Sequence, residues 1–493
     1  MLKPFAAGQW NFTTAAHLIN RAGFGAPPDE IEKLASLGIE RAVSSLLNYE
    51  KIPDSTTNPA WAKPDPERMR KLAEARKGSP DERRAAQKAE QQLQRERILE
   101  LRGWWLRRMA RGPRPFQEKM TLFWHGHFAT SVQKVRDAYY MWRQNELFRR
   151  LATGNWLEML IQVAQDPAML IWLDQAQSRK QHPNENFARE VMELFTLGEG
   201  HYTEKDVTEG ARALTGWSLN RQTQQFVDRP RIHDEGEKTF LGRTGNFDGK
   251  DVLDQIVAQP QAAIFITGKL WNFFAGEPPE TELNAALAAE FRRSGNNFKP
   301  LLRTMFLSEE FYAPSVIRNQ IKSPVQWLVG TTRMLQCELP PPLVSANLLR
   351  SLGQDLFAPP NVKGWDGGLA WINTNTLLAR YNEAATLVQG DLSIAAKMVS
   401  APGKNPNRAK KIERRMRNFR AGGVNVEKIF TPEERANTDS LVAALEKRLL
   451  QAKLKEKQET VLREFLADKE NFSESEIRDA IRLVMSTPEY QLT

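Results

Sequence analysis

The stretch from Asp81 to Arg111 constrains this chain most: it reads as one long, highly charged helix, closed by Gly112 and Pro113. Its early part, rich in Gln, Glu, Arg and Ala, is polar nearly all round, which predicts a helix that projects into solvent or packs lightly. Its end, Leu99 to Met109 with Trp104 and Trp105, is apolar enough to enter a core.

Helical signals dominate elsewhere too. Thr13 is placed to cap a first helix that ends at Gly23 and Gly25, and Pro27-Pro28-Asp29-Glu30 opens a second, stopped by Gly38. Residues 52–66 hold four prolines and read as a loop. Further helices are expected at about 114–124, 133–152, 156–165, 184–197 and 203–214, then from Asp248 to about 355 and from Thr374 to Val388. Trp217-Ser218-Leu219-Asn220, Gln225-Phe226-Val227 and Lys238-Thr239-Phe240-Leu241-Gly242 are short and turn-bounded, fitting a small β-hairpin or ordered loop. The expected fold is all-α: a main helical domain over 1–390 with a small β excursion near 217–241, and a helical C-terminal extension over 391–493. No fixed-period repeat is visible, which argues against a solenoid.

At 493 residues, with 41% hydrophobic and 26% charged, the chain can bury a core. No run approaches the roughly 20 apolar residues of a membrane span. The N-terminus lacks a signal-peptide core, so the expected compartment is cytoplasmic if the chain is complete, and periplasmic or secreted if an export signal was removed. The single cysteine, Cys337, closes what looks like a helix and reads as a buried structural thiol. A net charge of +9 permits an acidic partner. The charge is partly clustered: residues 404–420 carry eight Lys and Arg against Glu413 alone, and read as a solvated helix or linker. No motif turns that charge into nucleic-acid recognition.

Two constellations are candidates for chemistry. On a helical wheel starting at Glu185, Arg189 falls at about 40°, Glu193 at about 80°, Asn186 at about 100° and Glu190 at about 140°. Three carboxylates, a guanidinium and an amide thus share one face, opposite Phe187, Val191, Met192, Leu194 and Phe195. One reading is a surface helix with i,i+4 ion pairs. The other is a cleft wall where Glu185, Arg189, Glu190 and Glu193 do acid–base work, one carboxylate held ionised and a drier neighbour keeping its proton.

The second constellation is His125-Gly126-His127. In a helix these imidazoles point about 160° apart; in an extended segment they share a side. Gly126 and Phe128-Ala129-Thr130-Ser131 favour a break, and two imidazoles plus a carboxylate from 185–193 would suit one transition metal ion, Zn, Fe or Cu. The alternative is a pair of core histidines among Phe123, Trp124 and Phe128. His17 reads as a packed helix residue and His182 as exposed. His201 is placed to fold back over the 184–197 helix, and His233-Asp234 is an imidazole–carboxylate unit or a turn. Trp217, Trp365 and Trp371 lie in or beside glycine-rich loops, where pinning a loop to the core outranks sugar stacking.

Several of these stretches, in order along nearly the whole chain, resemble a bacterial family catalogued as domain of unknown function number 1800. They are His17-Leu18-Ile19-Asn20-Arg21-Ala22-Gly23-Phe24-Gly25, Phe123-Trp124-His125-Gly126-His127-Phe128 and Asp166-Pro167-Ala168-Met169-Leu170-Ile171-Trp172-Leu173-Asp174. Asn184 to Gly198, Ala213 to Trp217 and Asn361-Val362-Lys363-Gly364-Trp365 complete the set. The resemblance implies a helical fold, a bacterial source, and relatives that are often exported and often encoded beside a protein similar to sulfatases and alkaline phosphatases, which makes a sulfatase-like protein a candidate partner. It implies no reaction. Joined to the basic charge and the loop tryptophans, it favours a hydrolase acting on an anionic polysaccharide or cell-envelope polymer. A metal-dependent oxidoreductase and a non-enzymatic assembly partner of a sulfatase-like protein stand as alternatives.

Overall fold

Local start signals account for most helices in the computed structural model, which describes residues 2–390, 423–467 and 472–493. The basic segment 404–420 lies outside the described residues. Asn11 caps α1 (Phe12–Ala22): its side-chain oxygen accepts the N–H groups of Thr13 and Thr14, while its own N–H donates to the Thr14 hydroxyl. The cap expected at Thr13 is therefore two residues earlier, because one asparagine oxygen serves both free donors.

Next come α2 (Pro28–Ser36), α3 (Ile39–Leu47), α4 (Pro66–Ala75), α5 (Pro80–Arg111) and α6 (Pro115–His127). Four of these five open on proline, whose missing N–H has no partner to lose in a first turn. The helix expected over 133–152 is two, α7 (Val132–Val135) and α8 (Ala138–Arg150), because Arg136 turns left-handed at φ 54° and Asp137 caps anew. Then follow α9 (Trp156–Ala164), α10 (Pro167–Trp172), α11 (Glu185–Glu190, continued by a π-turn over Val191–Thr196) and α12 (Glu204–Ala213).

The excursion after α12 is two antiparallel hairpins. Strand β1 (Trp217–Asn220) pairs with β2 (Gln225–Asp228), Trp217 opposite Asp228; β3 (Lys238–Phe240) pairs with β4 (Arg243–Gly245) across Leu241-Gly242. Trp217 is buried, and a Cβ on Gly249 would lie 2.5 Å from its ring, so only glycine fits there. The helical stretch from 248 resolves into α13 (Gly249–Ala258), α14 (Pro260–Ala275), α15 (Thr281–Arg293), α16 (Phe298–Phe306), α17 (Pro324–Met334) and α18 (Pro342–Ser351). Helix α19 (Thr374–Gln389) follows, and α20 (Val426–Ile429), α21 (Thr438–Leu445), α22 (Glu456–Leu466) and α23 (Glu474–Met485) close the described chain. Among the described residues the chain is all-α apart from the two hairpins, and no helix is long and apolar enough to cross a membrane.

Two apolar cores hold these helices. One joins α1–α3, most of α6, the end of α8, α9, α11 with its π-turn, and α12–α16. The other joins the C-terminal third of α5, the start of α8, α17–α19 and the C-terminal helices. Leu101, Trp104, Trp105 and Met109 of α5 are buried in the second core, as their apolar pattern predicts. No side chain of α4, and none of α5 before Gln94, is buried.

Candidate functional site

Helix α11 starts where Asn184 accepts the Asn186 N–H, and its neighbour α12 starts with a Thr203–Asp206 capping box. After Glu190 the ladder widens to i→i+5, a rearrangement that often marks a functional segment. The Thr196 hydroxyl donates to Val191 O at 2.6 Å within it. The last carbonyls of the turn are taken by side chains from other helices. Lys269 Nζ of α14 donates to Leu194 O at 3.0 Å, and His127 Nε2 of α6 donates to Phe195 O at 3.0 Å.

The polar face divides in two. Its first half pairs with α12: Arg189 grips both Glu204 oxygens at 2.7 Å, and Glu185 accepts the Thr208 hydroxyl at 2.9 Å with Arg189 3.9 Å away. These are exposed surface pairs. The second half faces elsewhere. Glu193 Oε2 accepts the Tyr202 hydroxyl at 2.7 Å. Glu190 is half-buried and has no hydrogen bond or ion pair among the described residues. Burial, then the charge of Glu193, pushes its carboxyl above the usual range, against the pull of Lys363 and Arg189. Tyr202 is pushed up to about 12 by burial and by its bond to Glu193.

Lys363 comes from the loop after α18, which a close backbone contact fixes against α6. Gly364 stands at φ 90°, and a Cβ on it would meet Gly126 O at 2.2 Å. Trp365 beside it is half-buried, its indole N–H without an acceptor. Thus Glu190, Glu193, Tyr202 and Lys363 form one neighbourhood. Sequence reading found the carboxylates by helical period. It missed Tyr202 and Lys363, for which only their closeness to loop motifs was a signal.

The histidines are core residues. The break expected at Gly126 is not there: α6 runs through His127, so helical geometry turns the two rings to different sides. His125 packs on Trp105, Phe148 and Phe357, and its Nε2 lies 2.9 Å from Asn145 Nδ2. An amide N–H can only donate, so that ring nitrogen is the acceptor. His127 packs among Phe123, Trp124, Phe128 and Trp156. Burial, then the charge of Arg149, holds His125 down at about 3; burial and Lys269 hold His127 well below its ordinary value. Among the described residues no three His, Cys, Asp or Glu side chains are placed to hold a metal.

The other candidates settle similarly. His17 is buried and bonds Phe311 O; His182 and His201 are exposed, and Tyr202 rather than His201 folds over α11. His233 Nδ1 donates to Thr215 O, while Asp234 pairs with Arg212, so Asp234 does not orient that ring. Cys337 is buried, its thiol pushed up to about 12 by burial. Trp217 and Trp371 are core residues. Sequence reading also missed a buried network around Glu118 of α6. That carboxylate accepts Trp105 Nε1, Arg108 Nε and two N–H groups of Arg149, all at 2.7–2.9 Å. Two surface cavities, one between the N-terminal segment and Tyr312, the other between Phe116 and Arg333, include no residue of 184–193.

A helical scaffold with an acidic helix face that feels Lys363 of a distant loop defines the class. The family model described as "Protein of unknown function (DUF1800)" matches residues 17–492, and the chain belongs to that family. No curated protein and no solved structure matches it.

Proposed function

We propose that Glu190 and Glu193 are the acid–base pair of a hydrolase acting on polysaccharide or cell-envelope polymer. One observation carries this reading: neighbouring carboxylates on one helix sit in opposed environments, Glu190 drier and unpartnered, Glu193 bonded to Tyr202. Glu190 then holds the proton and gives it to the leaving oxygen as the C–O bond breaks. Glu193 takes a proton from the attacking water as its oxygen bonds to carbon. Proton exchange with solvent resets both groups. Lys363 limits how far the Glu190 pKa rises and stands beside the developing charge. The polymer class is supported by the surface setting of the pair, by half-buried Trp365 on the loop that carries Lys363 and by the net charge of +9.

A second reading follows from the other half of the face. The Arg189–Glu204 and Glu185–Thr208 pairs are those of an ordinary surface helix, which suits an assembly surface for a sulfatase-like partner. A reducing-end assay across neutral and anionic polysaccharides and peptidoglycan separates the two. The acid–base reading expects release by the wild type and a loss of about 10²–10⁴-fold in Glu190→Gln and in Glu193→Gln. Release unchanged in both variants, or absent from the wild type on every polymer, would overturn it.

A further inference from the structure

The hairpin of α4 and the first part of α5 contributes nothing to either core. Residues 66–93 bury no side chain. Met69, Leu72 and Leu93 are half-buried, and the segment has no aromatic residue. The hairpin is nonetheless well built. Asp65 caps α4, a Ser79–Glu82 box caps α5, and Arg68 ties its root to Glu90 and, at 2.6 Å, to Asp137. A stretch this ordered without apolar burial is stabilised at its ends and root while its outer part stays in water.

That outer part is strongly basic. Residues 70–88 hold seven Lys and Arg against three carboxylates. Arg76, Lys77, Arg83 and Lys88 are exposed and have no ion pair among the described residues. The pairs that the other three make are exposed too, Arg70–Glu74 at 3.8 Å, Lys71–Glu67 at 2.9 Å and Arg84–Asp81 at 3.9 Å, and such pairs leave the field of each cation largely available.

We propose that this arm is a docking surface for a linear anionic polysaccharide. Charge complementarity gives the sign of the partner, and what the arm lacks narrows its class. Without aromatic side chains it has no platform on which nucleic-acid bases stack. Without exposed large apolar side chains it has no face to insert among acyl chains. Repeated sulfate or carboxylate groups along a sugar chain need only spaced cations on a rigid rod, and a helix-pair arm supplies them. This inference is independent of the Glu190 chemistry, because it is read by binding without turnover.

The test uses the full chain and heparin as the probe polyanion, with binding measured from low to moderate salt. In Arg76→Gln/Lys77→Gln/Arg83→Gln/Lys88→Gln the affinity falls at least about tenfold, and the log–log salt slope shrinks by about three. Because those side chains are exposed, thermal unfolding of the variant matches the wild type. The control Lys410→Gln/Lys411→Gln/Arg414→Gln/Arg415→Gln keeps wild-type affinity. Unchanged heparin binding in the arm variant would overturn the proposal, as would loss in the control alone. Arm-dependent binding of polythymidylate or phosphatidylglycerol vesicles that exceeds heparin binding would overturn the polysaccharide assignment.

Discussion

The Glu118 cluster and the Glu185–Glu193 face are built from the same residue types and reach opposite states. Around Glu118 every strong charge is answered. Burial alone would push its carboxyl up, but Arg149 and Arg108 outweigh it and hold Glu118 below its ordinary value. Arg108 also reaches Asp54, and Arg149 reaches Asn145 Oδ1 at 2.6 Å. Such a network is a structural device: it fixes α5, α6 and α8 against one another, and its cost appears when one partner is removed. On α11, by contrast, Arg189 is engaged by Glu204, and Glu190 is left half-buried without a partner of its own. The lesson is that density of charge does not mark a site. A titratable group left without a partner in a partly dry place is the candidate, and that is what singles out Glu190 here.

Removing the centre of the buried network tests one side of that contrast with the largest effect. Glu118→Gln takes away the carboxylate that Arg108 and Arg149 share, leaving Arg108 with Asp54 and Arg149 with Glu146, and a loss of about 3 kcal/mol, the low end for a broken buried pair, is expected in urea denaturation. A loss below about 1 kcal/mol would mean that the network is no more than a surface pair in its energetics.

Next in size is an effect of pH. His17 and His125 are held at about 3 and His127 well below its ordinary value, all chiefly by burial. Their folded pKa values are depressed, so below about 6.5 the unfolded chain binds more protons than the native one. What the three rings contribute to stability is therefore fully present above about 6.5 and is lost as pH drops toward 3, by about 1.4 kcal/mol per pH unit for each ring. Asp166, pushed up to about 7 by burial, works in the other sense, losing stability as pH rises from about 4 to 7. In His125→Gln the acid-side slope should be shallower by about one proton; an unchanged slope would show that this ring is not buried neutral. Metal analysis of the wild type beside His125→Ala/His127→Ala sharpens the point. The same content in both is expected from rings tied to Asn145 and Phe195 O, and one equivalent lost in the variant would restore the ligand reading.

The smallest effect lies on the exposed half of the α11 face. Arg189→Ala should leave the denaturation midpoint within error, because the pair it breaks is screened by water. A clear shift would show that this half of the face holds the fold together as the buried network does.

Family membership and the all-α class were visible from the sequence, and so were most helix spans. The polar N-terminal part of α5 and its buried end follow from residue pattern alone, and the hairpins from short turn-bounded runs. These features rest on interactions within a few residues, which a sequence displays directly: capping, proline at a first turn, the 3.6-residue period. Helical period also brought Glu185, Arg189, Glu190 and Glu193 to one face, but it could not say which would find a partner. Arg189 meets Glu204 fifteen residues on, and Glu190 meets Lys363 from a loop far along the chain. The tertiary structure decided those meetings. It also carried α6 through Gly126 to His127, where Gly126 and Phe128-Ala129-Thr130-Ser131 suggested an earlier stop: the buried neighbours of His125 and His127 offset the glycine's lost entropy, and packing overrides local propensity.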